Sequence, residues 1–544
     1  MNLVISQIAT DYMDDWLSDL LDELIIEQCV IVYVDRENVK KGKVCRQYAT
    51  VVIDWEQCIS ADYEILKTNK IPPIDDEILN AMAPYEDVIF WMLRRRQGRE
   101  FERYWRHYCI QVRVWNYILD SLNIDVYIST RTPHEGYDFI IYALCKVKGI
   151  HYCASQDAHF PGYSYLANDI FIPLMGFDDY VKDLQNKYKD FSIESIQLSK
   201  EIDAFYQKYY GENDLTPWYM VERMKKTSIF SECKERIQYF FRKKDAVKKM
   251  FKLQTYKKTI SAVYHSKYFR RLQILCNRGK LISWEILHLF SLNVDVHKFI
   301  ANQISNSDIF REYEILLQYY KDNANPVDYS KKYIYVALHN QPESTSSPRG
   351  GRFVDQILMV QMLSYYLPDG YCLYVKEHPS QIRTERIYSF RTLDFYNRLL
   401  EIPKVFLVPL EENTYRLIDG ACAIAALTGT VGFEAIIKNK LFFMFGYFLT
   451  QYAPNVIPIR SSKDCMEAMQ RMESYNQDEE TSRKQIKIYF KALEKIMYRG
   501  RDLDEPIFKS ILPDDYWAES KKIMVDVFRN RLIEFMGESI LKRI

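Results

Sequence analysis

The sequence has no excess of charge of either sign, because 73 lysine and arginine residues balance 73 aspartate and glutamate residues among 544 positions. Without a strong basic field there is no electrostatic reason to expect a nucleic-acid partner. Long hydrophobic runs are also lacking: LFFMFGYFL, which begins at Leu441, is about half of the roughly 18 residues that a membrane-spanning helix requires. The first residues lack the basic start of a secretory signal. We therefore expect a cytoplasmic protein that is attached at most to a membrane surface.

Paired cysteines are lacking as well, since the 11 cysteines are an odd number and form no CxxC motif. Reduced, buried thiols explain this pattern most simply. His151 and His159 do not have the close spacing of a zinc site. The sequence therefore predicts reduced thiols, no bound metal and no cofactor.

The first part of the chain alternates short apolar runs with amphipathic patterns. Strands are predicted at 29–34, 49–55, 87–93 and 125–130, and a helix is predicted at 100–122. The strand at 125–130 is followed by a loop, a helical pattern and a further strand that begins at His151. This order is a βαβ unit, which predicts a parallel sheet covered by helices.

A second alternating region predicts another doubly wound sheet. Its strands are expected in KKYIYVALHN, YCLYVKEHP, KVFLVP, ACAIAAL and LFFMFG. Between the two regions strand patterns nearly vanish, and after the last strand the chain is predicted to be helical. The predicted fold class is α/β, with two Rossmann-like domains facing a cleft, a helical insertion and C-terminal helices. The predicted domain boundaries are 1–175, 176–325, 326–480 and 481–544.

The predicted helical insertion contains a basic segment at 242–280, where thirteen lysine and arginine residues face one acid, Asp245. Such a segment would rest on anionic lipid at the inner membrane, or it is a solvated helical face whose charge is balanced elsewhere.

Ionisable side chains follow the predicted strand YCLYV. Lys376, Glu377 and His378 come directly after this apolar run, and Pro379 stops the strand. Ligands of parallel sheets bind beyond the carboxyl ends of the strands, so we expect these residues at the edge of the sheet. Pro379 would open the next turn and leave backbone amides and His378 available to an anion.

The stretch TGTVGFEA follows the strand ACAIAAL in the same way. Thr428 and Thr430 supply hydroxyl groups, and Gly429 permits close approach of the backbone. A helix opening near Val431 would point positive partial charge at this loop. Glu434 is expected in its first turn, where it could accept hydrogen bonds from ribose hydroxyls. An ordinary strand-to-helix connection capped by threonine would have a similar sequence.

A loop rich in Ser, Thr and Gly follows the first strand of the second region. It begins after His339, Asn340, Gln341 and Glu343, and it contains Arg349 and Arg352. Arginines in such a loop are available to a phosphate or a carboxylate. The alternative is a surface loop without a ligand.

Polar side chains also follow the strand at 125–130. His134 and Glu135 are candidates for a general base or nucleophile at the carboxyl edge of that sheet. Capping of the following helix explains Asp138 equally well, so Asp138 is not preferred. Asp157 and His159, which follow the next strand, are further candidates.

The ordered set ALHNQPESTSSPRGGR, YVKEHPSQ and LTGTVGFEAIIKNK resembles bacterial capsule and surface polysaccharide biosynthesis proteins. These are GT-B-like glycosyltransferases related to the Kdo transferases of capsule assembly and, more distantly, to sialyltransferases with a His-Pro motif. TPHEGYDFIIYALCKVKGI is similar to the N-terminal motif of the same group, and no acidic pair resembles a metal-holding DxD. Relatives often continue into Gly-Lys-Pro where this chain has Asn439, Lys440 and Leu441.

The resemblance implies transfer of a sugar, Kdo or another nonulosonate-like acid, from a CMP-linked donor to a glycan or glycolipid acceptor without a metal. It implies that His378 and Pro379 contact the donor phosphate and that Thr428 and Thr430 complete that site. Glu434 would lie by the ribose or base, and Gln341 and Glu343 would face the cleft.

The mechanism that goes with this resemblance neutralises the departing phosphate with helix N-termini, His378, Lys376 and the two threonines. Glu135 is then the first candidate for the general base or nucleophile, and His134 is the second.

Three other activities remain open from the sequence. A glycerophosphotransferase of the teichoic-acid type would use CDP-glycerol on the same frame. A nucleotide-sugar epimerase would need no acceptor, and a non-catalytic component of a capsule assembly complex would bind no nucleotide.

Overall fold

The structure is a computed structural model that describes residues 1–34, 42–97, 101–211, 315–379, 381, 390–475, 478–501 and 512–542. The chain forms two compact units. The first comprises Met1–Asn213, Ala324–Gln381 and Asp394–Ile544 and contains every strand described below. Of the second, Asp214–Asn323 and Ile382–Leu393, the structure describes only 315–323 and 390–393. The basic segment at 242–280 and most of the predicted helical insertion lie outside the described residues.

The strands alternate with helices in both halves of the first unit. The strands are β1 (Asn2–Ile8), β2 (Gln28–Tyr33), β3 (Val51–Asp54), β4 (Val126–Ser129), β5 (His151–Asp157), β6 (Tyr163–Ala167), β7 (Lys332–Ala337), β8 (Tyr371–Lys376), β9 (Val405–Leu407), β10 (Ala423–Ala426), β11 (Leu441–Met444), β12 (Val456–Pro458) and β13 (Met497–Arg499). The α-helices are α1 (Asp11–Asp22), α2 (Lys43–Tyr48), α3 (Trp55–Ser60), α4 (Ile65–Thr68), α5 (Asp76–Gln97), α6 (Phe101–Ser121), α7 (Tyr137–Lys148), α8 (Phe177–Lys187), α9 (Lys200–Gly211), α10 (Gln356–Tyr366), α11 (Leu393–Leu400), α12 (Thr414–Gly420), α13 (Thr430–Ile437), α14 (Ser462–Ser474), α15 (Glu479–Ile496) and α16 (Asp514–Met536).

The first sheet has the strand order β13-β6-β5-β4-β1-β2-β3. Strands β1 to β5 pair in parallel, whereas β6 pairs antiparallel with β5 and β13 pairs antiparallel with β6. The order 3-2-1-4-5 of the parallel strands is that of a Rossmann-like sheet. Strand β4 is wholly buried and β1 nearly so, because helices cover both faces of a parallel sheet.

The second sheet has the order β12-β11-β10-β7-β8-β9, and all of its pairs are parallel. Counted from its first strand this order is 3-2-1-4-5-6, which is again Rossmann-like. The predicted fold class, an α/β chain with two Rossmann-like sheets, is therefore confirmed.

A shared aromatic core joins segments from both halves of the first unit. Phe160, in the turn after β5, lies 5.0 Å from the ring of Phe433 on α13 and 6.1 Å from that of Phe490 on α15. All three side chains are buried. The chain that leaves the first sheet and the late helix α15 thus pack against the second sheet.

Three secondary-structure predictions need correction. The strand predicted at 87–93 is wrong, because these residues lie within α5, and a short apolar run does not distinguish a strand from a buried helix. Strands β1, β6 and β12 were not predicted, although β1 is the middle one of the five parallel strands of the first sheet. The last part of the chain is not wholly helical, because β13 pairs antiparallel with β6. The other strands named from the sequence are confirmed within a few residues.

Within the described residues, no helix is both long enough and apolar enough to span a membrane.

Candidate functional site

The strand order of the second sheet reverses between β7 and β10, and the loops after these strands touch each other. His339 follows β7 and Thr428 follows β10. The backbone N–H of Thr428 donates to Nε2 of His339 over 3.2 Å. Burial, together with a smaller effect of the neighbouring His378, lowers the pKa of His339 to about 3. The imidazole of His339 is therefore a neutral acceptor that fixes the Thr428 loop at the reversal point, where ligands of such sheets bind.

The glycine after Thr428 is required by this contact. Gly429 has φ +86° and ψ 178°, a conformation that is essentially restricted to glycine. A Cβ at this position would lie 2.9 Å from Nε2 of His339. Gly429 also precedes α13 and provides no side-chain cap, while the hydroxyl of Thr428 donates to the carbonyl of Thr345 over 2.9 Å. Capping by Thr428 therefore does not explain this stretch, and no side-chain cap of α13 is found among the described residues.

Lys376 and His378, two positions apart in the KEHP stretch, contact different parts of the structure. Lys376 is the last residue of β8, and its ammonium group donates to the carbonyl of Glu412 and the hydroxyl of Thr414. Burial lowers the pKa of Lys376 to about 8, although Glu412 opposes this shift. His378 and Pro379 are half-buried, and His378 is close enough to His339 to affect its pKa. His378 thus lies with His339 and Thr428, whereas the contacts of Lys376 are with the loop before α12.

Gln341 and Glu343 have different environments in the loop after β7. Gln341 is buried, and its side-chain amide donates to the carbonyl of Val354 over 2.8 Å. Gln381 donates to the carbonyl of Gln341 over 3.0 Å, so the loops after β7 and β8 are tied together. Glu343 is exposed and accepts a hydrogen bond from Asn340 over 2.7 Å.

The first sheet reverses its order between β1 and β4, and the candidate residues of the first half lie there. Asp138 is fully buried and accepts hydrogen bonds from the backbone N–H groups of His134 and Glu135, each over 2.8 Å. The side-chain amide of Gln7, at the end of β1, donates to Asp138 over 2.6 Å. Asp138 therefore shapes the loop that carries His134 and Glu135. Nε2 of His134 lies 3.7 Å from the Glu135 carboxylate, and both side chains are partly exposed.

Gln7 was not identified from the sequence. It is buried and has φ +68°, which is uncommon for a residue other than glycine. The hydroxyl of Thr130 donates to its carbonyl over 2.9 Å, so Gln7 links the ends of β1 and β4. Residues with strained backbone conformations are often found at functional sites. No sequence pattern predicts that a glutamine adopts a left-handed conformation, so Gln7 could not be identified from the sequence.

Arg349 connects the carboxyl edges of the two sheets. It lies in the loop after β7, and its Nη2 donates to the hydroxyl of Thr132 over 2.9 Å and to the side chain of Gln156 over 3.0 Å. Thr132 also accepts at its carbonyl from Nδ1 of His134 over 2.9 Å. One arginine thus joins the loop after β7 to the loop that carries His134 and Glu135. Arg352, by contrast, is exposed and lies 3.5 Å from the exposed Asp87.

Asp157 and His159 lie at the end of β5. Burial opposes ionisation of Asp157, but the guanidinium of Arg501, at 2.9 Å, and His159 outweigh it, so the pKa of Asp157 is lowered. Burial lowers the pKa of His159 to about 4, with Arg349 and Arg501 acting in the same direction. Arg501 was not identified from the sequence, because it lies far along the chain, just beyond β13.

Glu434 is not in the first turn of α13, because the helix begins at Thr430 and Glu434 falls in its second turn. Its side chain is 5% exposed, and burial raises its pKa to about 7, with Lys438 opposing the shift. Tyr335 on β7 is near enough that the Glu434 charge raises its pKa further beyond the effect of burial. Glu434 is a buried carboxyl group poised near neutral pH.

Replacing Glu434 with Gln is expected to remove a pH-dependent loss of stability. The pKa of Glu434 is about 7 in the folded chain, against an ordinary value of 4.5 in the unfolded chain. Below pH 4.5 the carboxyl group is therefore protonated in both states and does not lower the free energy of unfolding, but between pH 4.5 and 7 it lowers that free energy increasingly. The full effect corresponds to roughly 3 kcal/mol. Urea unfolding at pH 4, 6 and 8 should therefore show the advantage of Glu434→Gln over the natural chain growing with pH.

Exposed Glu401 supplies the control for this measurement, since Glu401→Gln should leave the pH dependence unchanged. An advantage of Glu434→Gln that stays constant between pH 4 and 8 would contradict the assigned shift.

No protein-family model matches the sequence, and no curated protein matches it. Among solved structures, the chain is similar to UDP-GlcNAc 2-epimerase from Methanocaldococcus jannaschii, at 10% identity over 88% of this chain and 94% of that chain, with a TM-score of 0.22. It is similar to UDP-GlcNAc 2-epimerase from Neisseria meningitidis, at 9% identity over 97% and 100%, with a TM-score of 0.22. The N-terminal domain of Candida albicans trehalose-6-phosphate phosphatase gives 10% identity over 97% of both chains and a TM-score of 0.26. Values this low assign neither a family nor an activity, so the fold class rests on the strand order of the two sheets.

Proposed function

We propose that the protein is a GT-B-like glycosyltransferase that moves a sugar from a nucleotide-activated donor to a glycan or glycolipid acceptor. The donor is a CMP-linked acid sugar, Kdo or a similar nonulosonate, and the pathway is that of a bacterial surface polysaccharide. The finer part of this proposal rests on the resemblance of the His378-Pro379 and Thr428–Thr430 stretches to capsule transferases.

One observation carries the proposal: the loop that contains Thr428 and the loop that contains His134 and Glu135 each lie where the strand order of a sheet reverses, and Arg349 joins the latter loop to the loop after β7. His339 and Thr428 meet at the reversal of the second sheet, and Gln7 and Asp138 meet at that of the first. Ligands of doubly wound sheets bind at such positions. A donor held by one edge would therefore face groups held by the other.

The two edges would divide the chemistry between them. The departing phosphate would be neutralised by the amides at the start of α13, by the hydroxyl of Thr430 and by His378. Thr428, whose hydroxyl donates to the Thr345 carbonyl, would instead fix the loop that leads into the helix. The acceptor hydroxyl would be deprotonated by Glu135, with His134 as the alternative base. Lys376 is held by the loop before α12, so in this proposal it shapes the site and supplies positive charge from behind the strand.

A thermal-shift panel tests the nucleotide assignment. CMP, UMP and GMP are compared at equal concentrations, and CMP is expected to raise the melting temperature most. A ligand that binds only the folded chain stabilises it by about 2.7 kcal/mol at a hundredfold excess over its dissociation constant. If none of the three nucleotides raises the melting temperature, the enzyme proposal is wrong.

Donor screening then separates the related activities. Incubation with CMP-N-acetylneuraminic acid and with CDP-glycerol, each with and without a glycan acceptor, distinguishes sugar transfer from glycerophosphate transfer. Product formed from the CMP-sugar only in the presence of acceptor is expected.

A further inference from the structure

Arg349 is a buried cation without an anionic partner. Its side chain is 3% exposed, and both of its hydrogen-bond acceptors, Thr132 and Gln156, are neutral. Its Nε has no hydrogen-bond partner, and it forms no ion pair with a carboxylate in the part of the chain that the structure describes. Arginine stays protonated at all ordinary pH values. Because a buried charge is unfavourable unless it is paired, this position favours the arrival of an anion.

Two further buried nitrogen atoms near Arg349 also have no partner among the described residues. They are Nε2 of Gln156 and Nδ1 of His159. The side-chain oxygen of Gln156 accepts from both Arg349 and Tyr165, which fixes its amide nitrogen as the free end. Nε of Arg349 and Nε2 of Gln156 are hydrogen-bond donors, and Nδ1 of His159 can also donate. None of these three nitrogen atoms has an acceptor among the described residues.

Arg349 and His159 both contact the ring of Phe448. The guanidinium carbon of Arg349 lies 5.0 Å from the Phe448 ring centre, and the His159 ring lies 4.5 Å from it. The positive charge of Arg349 also helps to lower the pKa of His159, in addition to the larger effect of burial. The nearby carboxylate, Asp157, is already engaged by Arg501 and by the backbone N–H of His159.

This cluster lies beside the loop that would hold the donor phosphate. The backbone carbonyl of Arg349 accepts from Tyr447, and a Cβ on Gly446 would lie 2.7 Å from that carbonyl and equally close to Cγ2 of Thr428. His159 is also close enough to His339 to lower its pKa. A group attached to a phosphate at the start of α13 would therefore lie close to the cluster.

We infer that Arg349, together with Gln156 and His159, binds a pair of anionic oxygen atoms of the donor. The inference rests on the proposed function and adds what the donor must carry. A carboxylate on the transferred sugar fits best, because a guanidinium matches the planar carboxylate and the phosphate has its own contacts at Thr430 and the start of α13 in the proposed function. A phosphate of the nucleotide is the other source of the same chemistry.

Calorimetry with Arg349→Met and Arg349→Lys separates the two sources. If the anion is the sugar carboxylate, Arg349→Met should weaken CMP-N-acetylneuraminic acid by at least about tenfold while CMP stays within about twofold of the natural chain. If it is the phosphate, both ligands should weaken equally. Arg349→Lys keeps the positive charge but loses the planar guanidinium group. Its affinity for the CMP-sugar should therefore lie between the affinities of the natural chain and of Arg349→Met. Arg352→Met, from the exposed end of the same loop, should change neither affinity.

The inference is overturned if Arg349→Met keeps its melting temperature and binds both ligands as the natural chain does. Should Arg349→Met fail to fold, Arg349→Lys decides the question by the same comparison. If the natural chain binds no nucleotide, the proposed function fails by itself. The cluster is then tested with inorganic phosphate and free N-acetylneuraminic acid, and an absence of stabilisation by either overturns it as well.

Discussion

Replacing Glu135 with Gln is expected to lower turnover at least about a hundredfold while leaving nucleotide affinity within about twofold. Gln has the same shape but cannot accept a proton. Glu135 is suited to a base because its loop is fixed by Asp138 while its own side chain stays partly exposed, at 9%. The same hydrogen bonds explain why Asp138 is not the base: it is fully buried and accepts from the backbone of its own loop and from Gln7.

The measurement compares kcat for transfer from the CMP-sugar with the dissociation constant for CMP, for Glu135→Gln, His134→Asn and the natural chain. Exposed Glu401→Gln is the matched control and should retain full turnover. Equal losses in His134→Asn and Glu135→Gln would indicate that the pair acts together over its 3.7 Å separation. More than a tenth of the turnover remaining in Glu135→Gln would place the base elsewhere.

The two sheets could be predicted because their signal is local. Each buried parallel strand is a short apolar run, and polar residues follow it where the chain leaves the core. That rule predicts His378 and Thr428 at one edge of the second sheet, and both residues lie there, just beyond the ends of β8 and β10. The same rule failed at 87–93, where seven residues of a long, partly buried helix have the composition of a strand.

The direction of a side chain at a sheet edge could not be predicted in the same way. Lys376 follows Tyr374 by two positions, so both point to one face of the sheet. On that face Tyr374 contacts Asp328, and Lys376 reaches the loop before α12. Nothing local in LYVKEHPSQ reveals which of the two faces the ligand would approach, because that depends on strands far away in the chain.

Long-range contacts were the other part of the site that the sequence could not reveal. Gln7 donates a hydrogen bond to Asp138, which lies 131 positions away in the sequence, and Arg349 donates one to Thr132, which lies 217 positions away. Neither contact follows a spacing rule, since each depends on how two sheets are ordered and how their edges meet. The sequence indicates that Arg349 is a cation available to an anion, but its burial between the sheets is a property of the fold.

Gly429→Ala is the second change with a large expected effect, and Gly537→Ala is its matched control. Both glycines have nearly the same backbone conformation, with φ +86° and ψ 178° at Gly429 and φ +80° and ψ 170° at Gly537. Alanine in this region costs about 1–3 kcal/mol of stability at either position. Their surroundings differ, because nothing lies within 4 Å of a Cβ at Gly537, whereas a Cβ at Gly429 would lie 2.9 Å from Nε2 of His339.

Both variants place alanine in the same unfavourable backbone conformation. A difference in CMP affinity between Gly429→Ala and Gly537→Ala therefore reports the contact with His339. Gly429→Ala must displace His339 or the loop that it holds, and CMP affinity should fall by at least about tenfold, as expected when charge-assisted contacts to a phosphate are lost. Gly537→Ala should bind CMP as the natural chain does while losing only the stability that corresponds to the shared conformational cost. If both variants bind CMP normally, the Thr428 loop does not hold the nucleotide, and the donor must be sought at another edge of the two sheets.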